Sequence, residues 1–165
     1  MNKRMAVMGA VVAAAAVPLA AHGSWNKQSG PSVQTQADMY GIEQIEKTWH
    51  KAASMKNLNL MMTLFASNAT FTFGSKIATG KPAIRRVFAA AGPFQPQNHW
   101  ISDTPAYKIK ITVNGSKGTL YFECHYIDVD TRHVEAVVGG DLNVRKVNGK
   151  WLITNATASS PTLSP

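Results

Sequence analysis

Residues 114–157, NGSKGTLYFECHYIDVDTRHVEAVVGGDLNVRKVNGKWLITNAT, decide the fold. The stretch contains two Asn-Gly pairs, Asn114-Gly115 and Asn148-Gly149, the strongest short-range hairpin signal a sequence carries. Thr119 to Val129 reads as one long strand, Asp130-Thr131 as a turn, and His133 to Val147 as the next strand. Trp151 to Thr157 returns after the second Asn-Gly turn. Gly139-Gly140, in the middle of a strand, permits the bend that a curved sheet needs.

Upstream, Asn98 to Val113 alternates loosely, and Pro105 marks a bulge or an edge position. Before that the period is helical. From Ala37, residues Ile42, Ile45, Trp49, Ala52 and Ala53 recur at threes and fours, and Asn57 is placed to end that helix. Leu58 to Phe65 forms a second short helix, and Ala69 to Phe73 a strand. Thr79-Gly80-Lys81-Pro82 starts a third helix with Pro at its first turn, and Gly92-Pro93 stops it. Helices followed by a meander of long strands define an α+β layer.

The chain has 165 residues, 45% of them hydrophobic and 16% charged, which is the composition of one globular domain. Residues 1–23 have the parts of a secretory signal peptide. Lys3-Arg4 precede an uncharged run from Met5 to Ala16, Pro18 breaks it, and Ala21-His22-Gly23 offers a cut before Ser24. An exported protein, periplasmic or secreted, follows, with a leader retained as an uncleaved anchor as the alternative. The apolar run is short of the about 20 residues a bilayer span needs, so no stable span is expected after cleavage. Residues 24–36 read as a flexible lead-in, 37–158 as the domain and 159–165 as a tail.

The net charge is +8 from 17 basic and 9 acidic residues; without Lys3 and Arg4 it is 15 against 9, or +6. These basic residues are scattered rather than gathered into a stripe interleaved with aromatics, which argues against a nucleic-acid partner. Cys124 is the single cysteine, so no internal disulfide forms. Its apolar surroundings read as those of a buried, inert thiol.

The order of elements resembles the nuclear transport factor 2-like superfamily, in the branch of SnoaL-like and scytalone dehydratase-like domains. It is carried by IEKTWHKAASMKNLNLMMTLFASNATFTF, TGKPAIRRVF, NHWISD, GTLYFECHYIDV and GKWLITN. The resemblance implies a cone-shaped fold, three helices packed on a curved, mostly antiparallel sheet around a pocket. It also implies a small, hydrophobic, cyclic substrate and a cofactor-independent lyase (dehydratase) or isomerase. Asn98-His99-Trp100-Ile101 is similar to the scytalone dehydratase run that holds one active-site His, and His125 stands where the second is expected. Trp49 matches a Trp of the first helix, but the Asp that follows it in that family falls on Ser54. The two water-positioning tyrosines have no match.

The candidate site is therefore His99 and His125 as acid–base groups, since an imidazole titrates near operating pH. Asp103 and Glu123 would support them, and Trp49, Ser54, Phe71, Phe88, Tyr121 and Asp141 would line the pocket. No close-spaced ligand motif points to a metal, and no cofactor is needed. On Thr119–Ile127, Tyr121, Glu123 and His125 share one face; Leu120, Phe122, Cys124 and Tyr126 share the other. Parity does not choose which is inside; the resemblance favours the polar face. The apolar face would then serve a homodimer through the sheet. A non-catalytic ligand-binding or dimeric interaction module is the alternative function.

Overall fold

The computed structural model describes residues 30–102 and 107–160, Tyr107 by its backbone alone. The signal-peptide segment, Trp25, Asp103, Pro105 and residues 161–165 lie outside the described residues. Helix α1 (Val33–Ser54) begins inside the stretch read as lead-in, because Ser32 caps it: its Oγ accepts from the Thr35 amide at 3.1 Å. Helix α2 is a single turn (Leu58–Met62) started by Asn57, whose Oδ1 accepts from the Leu60 amide at 2.9 Å. Asn57 therefore opens the second helix instead of closing the first. Phe65, expected in that helix, is the first residue of strand β1 (Phe65–Phe73), which pairs with β2 (Lys76–Thr79). Helix α3 spans Lys81–Ala90.

The remaining strands are β3 (Trp100–Ser102), β4 (Tyr107–Asn114), β5 (Lys117–Asp128), β6 (Val134–Val147) and β7 (Lys150–Ser159). The expected 98–113 strand is thus two strands, both paired with β5. The sheet runs β2-β1-β7-β6-β5-β3 with β4 also on β5, and is antiparallel except where β1 runs parallel to β7. Gly139 and Gly140 stay within β6, opposite Glu123 and Phe122. Asn148 and Gly149 both have positive φ, +48° and +77°, the type I′ geometry whose twist suits a two-residue hairpin.

The three helices cover one face of the sheet. Ile42, Ile45, Trp49 and Ala53 of α1, with Ile84 and Phe88 of α3, pack on Leu120, Phe122, Cys124, Tyr126, Leu142, Val144, Ile153 and Ala156. The apolar face of β5 is therefore the inner one, the reverse of the arrangement the resemblance favoured. Leu120, Phe122 and Cys124 are at most 2% exposed within a single chain, so this row is not available to a second copy. On the outer face, Ile101, Ile127 and Val134 form a short row across β3, β5 and β6. Among the described residues no helix is long and apolar enough to cross a membrane.

The start of α1 is tied to the sheet through Asp38, which is buried against β6 and β7. Its carboxylate accepts from Lys146 Nζ at 2.6 Å, Trp151 Nε1 at 3.1 Å and Gln34 Nε2 at 2.9 Å. Lys146 is the largest reason its carboxyl pKa is held below the usual carboxylate range. Trp151 so anchored lies flat against the helix at Gly41, where an added Cβ would stand 2.8 Å from its ring. We expect Gly41→Ala to lose about 1–2 kcal/mol, because overpacking a held indole outweighs the gain in helix propensity. Urea denaturation of the two proteins measures it; an Ala variant as stable as the wild type would mean that the indole yields.

Candidate functional site

The inner face holds a narrow hollow between Trp49 of α1, β5, the middle of β6 and the end of β7. Trp49, Phe71, Phe122, Cys124, Leu142 and Ala156 form its apolar wall, and the backbone of Gly139-Gly140 completes it. It has room for roughly one water molecule as it stands. Trp49 and Phe71 were both expected in the pocket wall. Phe88 stands behind that wall, its ring 5.2 Å from Trp49 and 5.0 Å from Phe71.

Behind Cys124 lie polar groups that the sequence reading passed over. Glu46 and His50 are one helical turn apart on the buried side of α1. His50 is wholly buried, with Nε2 3.0 Å from Glu46 Oε1 and Nδ1 hydrogen-bonded to Ser102 Oγ. Nε2 is placed to donate to the Glu46 carboxylate, and Nδ1 shares its hydrogen bond with the Ser102 hydroxyl. Cys124 Sγ, part of the hollow's wall, is 3.8 Å from His50 Nε2. The histidine beside the cysteine is thus His50, from the helix, and not its neighbour His125. Burial pushes the thiol up to about 12, so it stays protonated and is not a nucleophile at neutral pH. Burial raises the neighbouring Tyr126 phenol in the same way.

Ser54, the position where the resemblance would put an Asp, does not face a histidine. Its Oγ accepts from the Ser102 amide at 2.8 Å and donates to the Ser102 carbonyl at 3.4 Å. It joins the end of α1 to β3 and lies outside the hollow's wall.

His99 and His125 do not meet in this hollow. His99 is exposed at the start of β3, and its Nδ1 is paired with the exposed Asp130 of the β5–β6 turn. Its backbone carbonyl accepts from the Val129 amide at 3.1 Å. Val129 is four residues from His125, about 13 Å of extended chain. His125 lies on the outer face of β5, opposite Val137. Tyr121, Glu123 and Asp141 share that outer face, Tyr121 and Asp141 being register partners. They form a polar group of their own: the Tyr121 hydroxyl donates to Glu123 at 2.7 Å, and Lys108 Nζ is 3.3 Å from the same oxygen. The Tyr121 bond is the main reason Glu123 is held below the usual range, and Glu123 in turn pushes the Tyr121 phenol up to about 12. Glu123 is thus engaged by Tyr121 and Lys108. For Tyr121, Glu123 and His125 the reason is common: the apolar side of β5 faces the helices and carries these odd-numbered residues outward. Among the described residues no group of three or more His, Cys, Asp or Glu side chains is arranged to hold a metal ion.

The SnoaL-like domain family profile matches residues 34–157, and the chain belongs to that family. Its fold is that of several solved structures. A protein of unknown function with a cystatin-like fold from Nostoc punctiforme is 18% identical, at a TM-score of 0.68 over 79% of this chain and 96% of that one. A protein provisionally named a dehydratase of the nuclear transport factor 2-like family, from Streptomyces avermitilis, is 11% identical, at 0.63 over 78% and 99%. One provisionally named a scytalone dehydratase, from Novosphingobium aromaticivorans, is 16% identical, at 0.60 over 77% and 86%. Among curated proteins none matches the chain. At these identities the likeness establishes the nuclear transport factor 2-like fold.

The Asp130 hydrogen bond raises the His99 pKa above its ordinary 6.5. A raised folded-state value favours the charged form. Its small contribution to stability is therefore present in full below about pH 6.5 and lost as pH rises through the folded value. We expect the His99 ring carbons to titrate above 6.5 by NMR, and Asp130→Asn to return the midpoint toward 6.5. A midpoint unmoved by that change would show that the pair does not form in solution.

Proposed function

We propose that this SnoaL-like domain binds a small hydrophobic molecule in the hollow between Trp49 of α1 and strands β5, β6 and β7. The observation that carries this reading is the wall itself: the aromatic and aliphatic side chains of Trp49, Phe71, Phe122 and Leu142 face a gap beside the backbone of Gly139-Gly140. Ligand sites are commonly apolar in lining, with a few convergent polar groups, and the Glu46–His50–Ser102 group with Cys124 stands at the edge of this one. Anything larger than water enters by displacing wall side chains; the half-buried Ala158 lines the hollow at the end of β7.

Lyase or isomerase chemistry is the second reading, and His50 is the observation that favours it. The resemblance assigned acid–base work to His99 and His125; a histidine held by a carboxylate inside the fold is better placed to take and return a proton beside the hollow. The provisional names of the two dehydratase-like relatives point the same way.

One titration serves both readings. Methylenecyclohexane added to labelled protein is expected to shift the resonances of Trp49, Phe71, Phe122 and Leu142, and Ala158→Leu to weaken that binding about tenfold or more by filling the hollow. Shifts confined to residues away from the wall, or an Ala158→Leu protein that binds equally well, would refute the binding site. With cyclohexanone in heavy water, exchange of its α protons that is lost in His50→Gln would raise the enzymatic reading above simple binding. No exchange above the buffer rate would remove it.

A further inference from the structure

The edge of the sheet built from β1, β2 and α3 differs from the rest of the molecule in charge. Residues 51–102 hold six basic residues, Lys51, Lys56, Lys76, Lys81, Arg85 and Arg86, and no Asp or Glu. The nine acidic residues all fall within 38–46 or 103–141, so β7, the other neighbour of β1, adds none. Among the described residues Lys76, Lys81, Arg85 and Arg86 form no ion pair. Lys81 and Arg85 stand one turn apart on α3, a like-charge spacing that costs a helix stability. The helix buries Ile84 and Phe88, the Phe88 ring 5.0 Å from Phe71 of β1, which leaves Arg85 half-buried and Arg86 exposed. The same edge holds apolar side chains in water. Phe73 and Ile77, on either side of the β1–β2 hairpin tip, are 51% and 70% exposed. Phe73 and its register partner Lys76 lie on the side of the sheet that α3 covers, since Phe71, two residues back, meets Phe88 there; Ile77 points to the other side. Among the described residues no atom comes within 4 Å of the place a Cβ would take on Gly74, so the tip stands clear of the fold. Single exposed apolar residues are ordinary, but here two flank a projecting turn within an acid-free basic edge.

We infer that this edge docks on the surface of an anionic lipid bilayer. Phe73 and Ile77 enter the boundary between headgroups and acyl chains, and Lys76, Lys81, Arg85 and Arg86 meet the lipid phosphates. Neither signal suffices alone: two apolar side chains partition weakly, and a few basic residues give an attraction that salt screens. Together they are the pair of signals that reversible attachment needs. A nucleic acid or another soluble polyanion matches the charge, but the aliphatic Ile77 gains nothing from it and stays in water. The surface is separate from the hollow and does not depend on what the hollow binds.

The test is cosedimentation of the full chain with vesicles of phosphatidylcholine alone and of phosphatidylcholine and phosphatidylglycerol in equal parts. The apolar run Met5 to Ala16 attracts the chain to either vesicle. The readout is therefore the ratio of the two partition coefficients, and its change in variants that leave that run intact. Arg85→Gln with Arg86→Gln is expected to lower the ratio about tenfold or more, and added salt to lower it in the wild type. Ile77→Ser is expected to weaken binding to the mixed vesicles about tenfold. None of these side chains is buried in the core, so near-UV circular dichroism should be unchanged in both variants. A ratio unmoved by the arginine substitutions would overturn the inference. So would mixed-vesicle binding unmoved by Ile77→Ser; that result, with equally tight binding to dextran sulfate, would make the edge a site for a soluble polyanion instead.

Discussion

The structure depends on the contact between Trp49 of α1 and Phe122 of β5, two rings meeting edge to face at 5.6 Å. That contact decides which side of the sheet faces the helices. An aromatic pair of this kind contributes about 0.5–1.5 kcal/mol beyond its buried area, and each large apolar side chain around it adds about 1.5–3 kcal/mol on burial. Leu120, Phe122, Cys124 and Tyr126 act together along one strand, so a one-residue slip would expose all four. Everything else follows the choice. Cys124 enters the wall of the hollow, His50 gains its neighbour, and Tyr121, Glu123 and His125 go to the outer face.

Much of the fold was legible in the sequence because its signals are local. The two Asn-Gly turns, the strand period on either side of them and the Pro at the start of α3 each act over a few residues. The parallel pairing of β1 with β7 was not legible: its partners, such as Phe71 and Ala156, are far apart in the chain and no turn joins them. Nor was the start of β1 at Phe65, since an apolar run serves helix and strand alike. What placed Phe65 in the sheet is its register with Ile153, a tertiary effect.

The candidate site was less legible, for a different reason. Strand alternation assigns residues to faces without saying which face is inside. The resemblance tipped the choice toward the histidines, although four apolar side chains on the other face weighed more. Trp49 and Phe71 were found because large aromatics on a core stripe line whatever hollow the core contains. Glu46 and His50 were missed even though a signal existed: they fall on the same helical stripe as Ile42, Ile45 and Trp49. Two titratable groups spaced one turn apart within an apolar stripe must pair with one another, or with a third group, when the stripe is buried. Ser102, from a three-residue strand, gave no such signal. The result is a domain in which Glu46, His50 and Ser102 are bonded in a row beside a small apolar gap.

The central claim is that the apolar face of β5 is the inner face, and Cys124 reports on it directly as the only cysteine in the chain. Its reaction with a thiol reagent such as dithionitrobenzoate, followed in the native protein and again in denaturant, is the decisive measurement. A thiol that is 2% exposed and holds its proton until about pH 12 should react only on the timescale of unfolding, then with one equivalent in denaturant. Rapid, complete labelling of the native protein at neutral pH would place Cys124 on the outer face and contradict the account.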